Sequence, residues 1–424
     1  MNRNTILGTL GVSLLVALGI MVSKQETNSI DPDTSNTPSY QLVANQTTIE
    51  TQISQVASAS NSFGFNLFDQ IQQQQPKDNL LISPSSIAIA LAMTRSGTNG
   101  STQTELTDVL ELGSLEPDAI DLSYRKLIET LKTADPKVTL AIANSLWINR
   151  DIDLKQKFIE GAKDLYQAQV SNLDFADSRS KQIINDWVAK NTNNKISEIV
   201  DRTSSEDALY LINAIYFKGI WSNKFDVNET TDRPFYRSPQ SSQSIPMMSQ
   251  KGDYRYYQSD RFQAVRLPYG EKQELGMYIF LPAENSSLAE FNQQLNQNNW
   301  QEWLSKMRSQ EGNITIPRFK LEYELNLLES LSVLGLNQIF SPQGADFSAM
   351  TDTPVAVDNI KHKTYIEVNE EGTEAAGVTS IGIRITSLQP DNKSFNMNVN
   401  RPFFFAIRDD ITETIIFMGN VIEP

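Results

Sequence analysis

The chain has 424 residues, 39% of them hydrophobic, so it can bury a sizeable core as one large domain or two. Its 36 Lys and Arg against 51 Asp and Glu give a net charge of −15, which argues against nucleic acid or an anionic membrane surface as the main partner. It has no cysteine and one histidine, His362, which excludes disulfides and thiolate metal sites and leaves a catalytic triad only one imidazole. A multi-histidine metal site is disfavoured for the same reason, and we expect no metal and no cofactor.

The N-terminus has the pattern of an export signal. Arg3 precedes an apolar run over residues 6–22 that only Gly, Thr and Ser interrupt. The small residues of Ala17-Leu18-Gly19 suit cleavage, whereas an uncleaved run of 17 residues is just long enough to span a membrane. Residues 1–22 are therefore predicted to be a signal peptide or a membrane anchor. The protein is expected to be extracytoplasmic, either secreted or periplasmic.

The segment that follows is polar. Residues 23–56 are rich in Ser, Thr, Asn and Gln and have few large apolar residues, a composition typical of a disordered linker. Apolar residues then recur on one helical face, at Phe63, Phe65, Leu67, Phe68 and Ile71. The folded domain is therefore expected to occupy residues 57–424.

A nearly all-apolar run over residues 87–93 predicts a buried helix, which Gly97 and Gly100 end. Ser83 and Ser86 stand at the head of this helix, where serine is a favoured N-cap. From the residues alone, helix capping explains both serines as well as a functional role does.

Strand and helix patterns alternate through the rest of the domain. Strands are predicted at residues 138–149, 208–221, 245–248, 265–269, 277–282, 314–320, 362–368, 400–407 and 415–421, and helical patterns run up to Tyr166, begin near Ile184 and cover 327–336. Residues 208–221 are too apolar for a surface strand, so Asn213 inside it needs a partner, because an unpaired buried amide costs roughly 1–3 kcal/mol. His362, also in a strand, is more often a structural residue than a catalyst in such a position.

The segment after the strand at 362–368 is neither an ordinary strand nor an ordinary turn. From Thr373 onward one period-two phase holds only small or apolar residues, while the other holds Glu374, Ser380 and Arg384. Gly372, Gly377 and Gly382 nevertheless carry an entropy cost that a settled strand avoids. A segment exposed in one state that becomes a central strand in another satisfies both facts. The alternative is a Gly-rich loop with accidental alternation.

The order Glu-x-Gly-Thr-Glu-Ala-Ala-Gly at residues 370–377 closely resembles the proximal hinge of inhibitory serpins, the serine protease inhibitor family, in a bacterial-like form. Other segments match serpin sequence motifs in the order that the family has them. They include residues 83–87, 314–320, 346–350, 400–407 and 415–421, so the resemblance covers roughly residues 57–424. It implies the α+β serpin fold, with mixed multi-strand central β-sheets, about eight to nine helices and an exposed reactive-centre loop.

The resemblance also assigns site residues. Those implied for the hinge are Gly372, Thr373, Glu374, Ala375, Ala376 and Gly377. Those implied for the shutter, where the main sheet parts, are Ser83, Ser86, Asn213 and His362. Those implied for the breach, where the loop first enters, are Trp221, Arg318 and Glu370, the last two as an ion pair worth about 0–1 kcal/mol if exposed. No residue is expected to be catalytic.

The implied function is suicide inhibition of serine endopeptidases. The target protease, the expected partner, cleaves the loop and forms an acyl-enzyme through its own nucleophile, and the cut loop then inserts into the sheet with the protease attached. The protein is expected to be a monomer that could also form loop-sheet polymers, and not an enzyme. The main alternative is a non-inhibitory serpin acting as a carrier or chaperone. A hydrolase is disfavoured because there is no Gly-x-Ser-x-Gly elbow.

Two counts place the reactive bond differently. Counting from the hinge gives Thr386–Ser387, whereas counting back from residues 400–403 gives a position near Asp391, so the loop is longer than usual on its distal side. The hinge count is preferred, because insertion length must match the sheet. A small Thr386 after Ile385 suits elastase-like or subtilisin-like proteases, and Arg384 leaves a trypsin-like target open.

Overall fold

The computed structural model describes residues 39–238, 240–373 and 394–424. The chain divides into two compact units, Met1–Asn45 and Gln46–Pro424. Of the first unit only residues 39–45 are described, and they are helical. Apart from this helical segment, the features below belong to the second unit.

Nine α-helices lie within the described ranges, in agreement with the expected eight to nine. They are α1 (Ser39–Gln74), α2 (Pro84–Ser96), α3 (Gly100–Val109), α4 (Pro117–Lys132), α5 (Gln156–Tyr166), α6 (Arg179–Asn191), α7 (Leu288–Asn292), α8 (Gln297–Lys306) and α9 (Leu328–Val333). Two short 3-10 helices, Val227–Glu229 and Gln338–Phe340, complete the set. None of the helices in these ranges is long and apolar enough to cross a membrane.

The first helix differs from the sequence prediction. It begins at Ser39, so residues 39–56, placed in the disordered linker by composition, are helical, and Val56 is fully buried. Ile53, Val56 and Phe63 continue one helical stripe onto the core, although polar residues dominate the sequence between them. Composition averaged over the segment conceals this stripe, which explains the later boundary in the prediction.

In the part of the chain that the structure describes, one sheet contains nine strands. They are β1 (Leu80–Ile82), β5 (Thr231–Ser238), β6 (Ser241–Gln258), β7 (Phe262–Tyr269), β8 (Leu275–Pro282), β9 (Arg308–Pro317), β13 (Phe395–Asn398), β14 (Phe403–Asp409) and β15 (Ile415–Val421). Their order is β1-β15-β14-β8-β7-β6-β9-β13, with β5 paired to β6. The central strands β8, β14 and β15 are buried along their whole length, as expected for continuous apolar runs.

The other sheet has six strands among the described residues and holds the candidate site. They are β2 (Val138–Asn149), β3 (Gln169–Leu173), β4 (Leu209–Ile220), β10 (Phe319–Asn326), β11 (Asn359–Asn369) and β12 (Gly372–Thr373). The order is β10-β11-β12-β4-β2-β3, and β11 also pairs directly with β4. That pairing is parallel, while β4 is antiparallel to β2 and β11 to β10. We call the boundary between β4 and β11 the seam.

Helix α2 supports the six-stranded sheet from below. Ser83 is its N-cap and accepts from the Ser86 N–H, and Pro84 occupies the first turn, where its missing N–H costs nothing. Residues 84–95 of α2 are buried, because the helix packs against β2, β4 and β15. The polar N-terminus of α2 is thereby brought beneath the seam.

Candidate functional site

The seam is closed along most of its length and open at its top. Residues Asn359 to Tyr365 of β11 pair with Tyr210 to Tyr216 of β4. Above them β12 lies between the two strands and runs antiparallel to both, with Gly372 opposite Ile220 and Asn369, and Thr373 opposite Gly219 and Val368. The first two hinge residues therefore already form part of the sheet.

His362 lies on the closed part of the seam and uses both ring nitrogens. Its Nε2 accepts the Ser83 N–H at 3.1 Å, so the ring is neutral and Nδ1 donates to Asn213 Oδ1 at 2.6 Å. The side chain is fully buried, and this burial lowers the pKa of His362 to about 3. His362 is consequently neutral at physiological pH and has no nitrogen free to act as a general base.

Asn213 connects the seam to the head of α2. Its amide nitrogen lies 3.1 Å from the Ser86 carbonyl oxygen, 2.5 Å from Ser86 Oγ and 2.5 Å from Asn144 Oδ1. The four residues predicted for the shutter are thus brought into one buried network, joined by Asn144, which sits opposite Asn213 on β2. Asn144 was not among the predicted site residues, although it is a polar residue in an otherwise apolar strand.

The top of the seam is built around Trp221. Its Nε1 donates to the Asn369 carbonyl at 2.9 Å, and its backbone N–H donates to the Glu371 carbonyl at 2.9 Å. Its ring stacks on that of Tyr269, with centroids 4.3 Å apart and planes 12° from parallel. Trp221 therefore holds both the end of β11 and the turn that leads into β12.

Arg318 and Glu370 form the ion pair that the resemblance implies, but the carboxylate of this pair is buried. Arg318 Nε lies 2.8 and 2.9 Å from the two carboxylate oxygens, and its Nη2 lies 2.5 Å from Oε1. Glu370 is only 4% exposed and also accepts from Thr230 Oγ1 at 2.5 Å. Burial raises the pKa of Glu370, but the hydrogen bonds from Arg318 and Thr230 outweigh it and hold the pKa below its usual value. The stabilisation of about 0–1 kcal/mol that an exposed ion pair would contribute therefore does not apply to this buried carboxylate.

The start of the hinge is buried, which corrects the expectation of an exposed segment from Gly372 onward. Thr373 is fully buried, and its hydroxyl lies 2.5 Å from the Tyr269 hydroxyl. Gly372 has φ +154°, and a Cβ at this position would lie 2.0 Å from the Gly219 carbonyl oxygen. Only glycine fits so close to the backbone of β4, so Gly372 allows β12 to pair within the sheet. No local sequence signal marks Tyr269 as the partner of Thr373, or Thr230 as a partner of Glu370.

The remaining predicted site residues lie outside the described ranges. These are Glu374, Ala375, Ala376 and Gly377 of the hinge and Thr386 and Ser387 of the reactive bond. Within the described part of the chain, no three His, Cys, Asp or Glu side chains are grouped to hold a metal ion. The described site therefore consists of a strand boundary with a polar network below and a docked loop base above.

Comparison with known proteins accounts for this arrangement. The family model Serpin (serine protease inhibitor) matches residues 58–424. The chain is 33% identical to leukocyte elastase inhibitor A of Mus musculus over 87% of this chain and 100% of the relative. It is 32% identical to a serpin-like protein of Methanosarcina mazei over 87% of both chains.

Solved structures give the same answer for the fold. Human thyroxine-binding globulin superimposes with a TM-score of 0.81 at 26% identity, covering 88% of this chain and 99% of that one. The thermophilic serpin tengpin in its native state superimposes with a TM-score of 0.78 at 29% identity, covering 87% and 94%. The expected α+β architecture is confirmed, and the chain belongs to the serpin family.

Proposed function

We propose that this serpin inhibits serine endopeptidases irreversibly, by cleavage of its reactive-centre loop and insertion of the cut loop into the seam. At the level of the family, serpins are protease inhibitors rather than enzymes. The engaged nitrogens of His362, the only imidazole of the chain, agree with a role that requires no catalytic base.

One observation carries the proposal: β12 already lies between β11 and β4 and pairs with both. It marks the place and direction in which a longer strand would grow. Below it, β11 and β4 are held by a parallel ladder, which is slightly less stable per residue than an antiparallel one. A strand that extended β12 would replace this single ladder with two antiparallel ladders.

The observed register predicts what would meet at the centre of the seam. Seven residues beyond Gly372 the extended strand reaches Thr379, which would pair with Asn213 on one side and His362 on the other. Thr373 and Thr379 share one period-two phase with Ala375 and Gly377, so small residues would face the core. An inward charge would instead have to be desolvated at a cost of several kcal/mol.

The free energy that strand insertion would supply is large enough to distort a bound protease. About 15 extended residues at ~3.3 Å each would move an attached protease on the order of 50 Å. At a net ~1 kcal/mol for each new ladder bond, a full strand supplies on the order of ten kcal/mol or more before the loss of chain entropy, enough to distort a bound active site. Inhibition is then a race between insertion and hydrolysis of the acyl-enzyme.

We propose Thr386–Ser387 as the reactive bond and elastase-like or subtilisin-like proteases as targets. A small side chain at Thr386, preceded by Ile385, suits a shallow apolar pocket. The similarity to leukocyte elastase inhibitor A, a protein named for such a target, supports the same class. A trypsin-like protease serves as the comparison enzyme, because it would cleave after Arg384. Cleavage at that position would shorten the inserted strand by two residues.

A carrier function is the second candidate. It is favoured by the close superposition with human thyroxine-binding globulin, whose structure contains thyroxine. A non-inhibitory serpin of this kind would be cleaved in its loop without trapping the protease. The two candidates therefore give opposite results in one experiment.

That experiment incubates the purified protein with an elastase-like and a trypsin-like serine protease, followed by denaturing electrophoresis and mass spectrometry. Inhibition predicts a denaturant-stable adduct joined at Thr386 and a released C-terminal fragment that starts at Ser387. Clean loop cleavage without an adduct, for every protease tried, would favour the carrier function instead. An adduct joined at another residue would retain the mechanism and move the reactive bond.

We also propose an extracytoplasmic location and a monomeric native state. The location rests on Arg3 and the apolar run over residues 6–22. Mass spectrometry of the protein from its own cell would give a mature N-terminus beyond residue 19 if the signal is cleaved. Size-exclusion chromatography with light scattering measures the oligomeric state, including any loop-sheet polymers.

A further inference from the structure

The base of the loop is fixed in the sheet by two contacts of different physical kinds. We propose that Gly372, Thr373 and Tyr269 form a register lock, which determines which residue leads the strand that enters the seam. In this lock Tyr269 is a positioning residue: it acts on Thr373 and touches no protease. The docking itself is independent of protease inhibition, whereas its consequence for trapping rests on the proposed function.

The first contact is steric. The Gly219 carbonyl oxygen would lie 2.0 Å from a Cβ at position 372, and the Ile220 Cα would lie 2.8 Å from it. A slip of one residue would bring Glu371 or Thr373 to this place, and both carry a Cβ. The obstructing atoms are backbone atoms of a central strand, so they cannot move aside without breaking the β4 ladder. A slip of one would also turn every side chain to the wrong face.

The second contact is polar. The hydroxyls of Tyr269 and Thr373 lie 2.5 Å apart, and both residues are fully buried. A slip of two residues keeps the faces but brings Ala375 or Glu371 to Tyr269, which leaves the phenol without a partner or buries a carboxylate. The phenol cannot swing away, because its ring is stacked on Trp221.

The two contacts act together. The steric contact at Gly372 rejects slips of one or two residues in either direction, because each brings a residue with a Cβ to this place. For a slip of two residues, the hydroxyl pair adds the cost of an unpaired buried group. Together they select the register in which small residues face the core before the loop is ever cut. If inhibition proceeds as proposed, a loop freed from the lock inserts in mixed registers and traps the protease less completely.

Hydrogen exchange of the full-length protein tests the lock without any protease. Tyr269→Phe and Thr373→Val each remove one hydroxyl and should raise exchange in peptides covering residues 217–221 and 369–373 about five- to tenfold. Because both variants break the same bond, the double variant should exchange no faster than the faster single variant. Tyr124→Phe is the matched control: its hydroxyl is also fully buried and lies 3.2 Å from Ser60 Oγ, on another element. This control should leave both peptides unchanged.

A glycine pair tests the steric part in the same way. Gly372→Ala should displace β12 and raise exchange in residues 217–221 at least tenfold. Gly161→Ala is its control, because a Cβ at position 161 of α5 meets no atom within 4 Å. The lock is wrong if Tyr269→Phe leaves both peptides protected, if the double variant shows the product of the two single effects, or if Gly372→Ala exchanges like the wild type.

The consequence for trapping is measured separately. With an elastase-like protease, Tyr269→Phe should at least halve the fraction of inhibitor recovered as covalent adduct, whereas Tyr124→Phe should match the wild type. Equal adduct fractions for the two variants would overturn the link between the lock and trapping. A wild type that forms no adduct would overturn the proposed function, and the exchange data would still decide the lock.

Discussion

Asn213 and His362 face each other across the seam at the same level, and a hydrogen bond of 2.6 Å joins their side chains. Neighbouring strands lie about 4.8 Å apart, so a strand inserted between β4 and β11 would separate their backbones to roughly 10 Å. The bond cannot survive this separation. Under the proposed insertion mechanism it is therefore part of the barrier to opening, placed where an inserted strand would pass.

Removal of Asn213 should destabilise the closed sheet. Asn213→Ala leaves His362 Nδ1 and Asn144 Oδ1 without partners in a fully buried layer. We expect the free energy of unfolding to fall by roughly 3 kcal/mol, given a cost of about 1–3 kcal/mol for each buried unpaired group. Urea denaturation at neutral pH measures it. Asn228→Ala, at an exposed 3-10 turn, is the control, and equal losses in both variants would contradict a special role for the seam.

Stability should depend on pH through His362. The folded pKa is about 3 and the unfolded value about 6.5, so between them the unfolded chain binds a proton that the folded chain does not. The contribution of His362 is therefore complete above pH 6.5 and decreases as the pH falls, by up to about 1.4 kcal/mol per pH unit.

The single histidine makes this measurement clean. Between pH 5.5 and 6.5 His362 is the only side chain whose ordinary pKa lies at the edge of the interval, whereas Asp and Glu titrate mainly below it, so most of the slope of unfolding free energy against pH should come from the proton that the unfolded imidazole binds. His362→Gln should remove most of the slope, even if the variant is less stable throughout. A wild type whose stability is flat across this interval would contradict a buried neutral imidazole.

An inward charge at the hinge should convert the inhibitor into a substrate. Thr373→Arg places a guanidinium where the side chain is fully buried, at a cost of several kcal/mol for desolvation, so insertion becomes slower than hydrolysis. Electrophoresis after incubation with protease should show cleaved protein and little adduct. Glu374→Arg, in the opposite phase, should still form adduct. Adduct formation by Thr373→Arg at full stoichiometry would refute the insertion mechanism.

The Arg318–Glu370 pair should contribute more than a surface pair. Arg318→Ala leaves a carboxylate that is only 4% exposed with Thr230 as its remaining side-chain donor, so we expect a loss of about 1–3 kcal/mol at pH 7. Because the folded pKa of Glu370 is lowered, this contribution is present above about pH 4.5 and lost as the pH falls further. Arg125→Ala, which breaks an exposed i,i+4 pair with Glu129, should cost close to nothing. Equal losses for the two variants would show that burial of Glu370 has no effect.

Insertion should be visible at His362 itself. In the intact protein, the Nδ1 proton bonded to Asn213 should give one slowly exchanging imidazole resonance, since the chain has no other histidine. After cleavage at the proposed bond, Thr386–Ser387, this resonance should shift if Thr379 enters between Asn213 and His362 as the insertion mechanism requires. Proton and nitrogen NMR before and after cleavage makes the comparison. An unchanged resonance in fully cleaved protein would mean that the seam stays closed.

Much of the fold could be predicted from local patterns. The predicted strand at 138–149 has the bounds of β2, and 208–221 exceeds β4 by one residue at each end. Both are long apolar segments for which the strand period is clear. The helix α1 was predicted too short, because its first turns inside the folded unit present few apolar residues to the core.

The site was harder to predict, because its contacts are distant in sequence. Ser83, Asn213 and His362 were assigned from the order of family motifs, and the structure places them in hydrogen-bond contact, while their role in the shutter stays a prediction. Asn144 and Tyr269 are set by strand pairing and by a contact across 104 residues, which no local period encodes. The docking of Gly372 depends on the backbone path of Gly219, which is likewise invisible in the sequence.

The connection between β11 and β12 has a consequence for folding. Only Glu370 and Glu371 separate the two strands, so they form a local hairpin, whereas the residues of β4 that pair with β11 lie 149 positions earlier in the chain. Local hairpins close faster than distant parallel pairs. A newly made chain could therefore extend β12 along β11 before β4 pairs with β11. The ion pair at Glu370 and the bonds from Trp221 anchor the turn to the rest of the domain, and we expect mutations there to lower the yield of native protein on refolding even where they leave the finished structure unchanged.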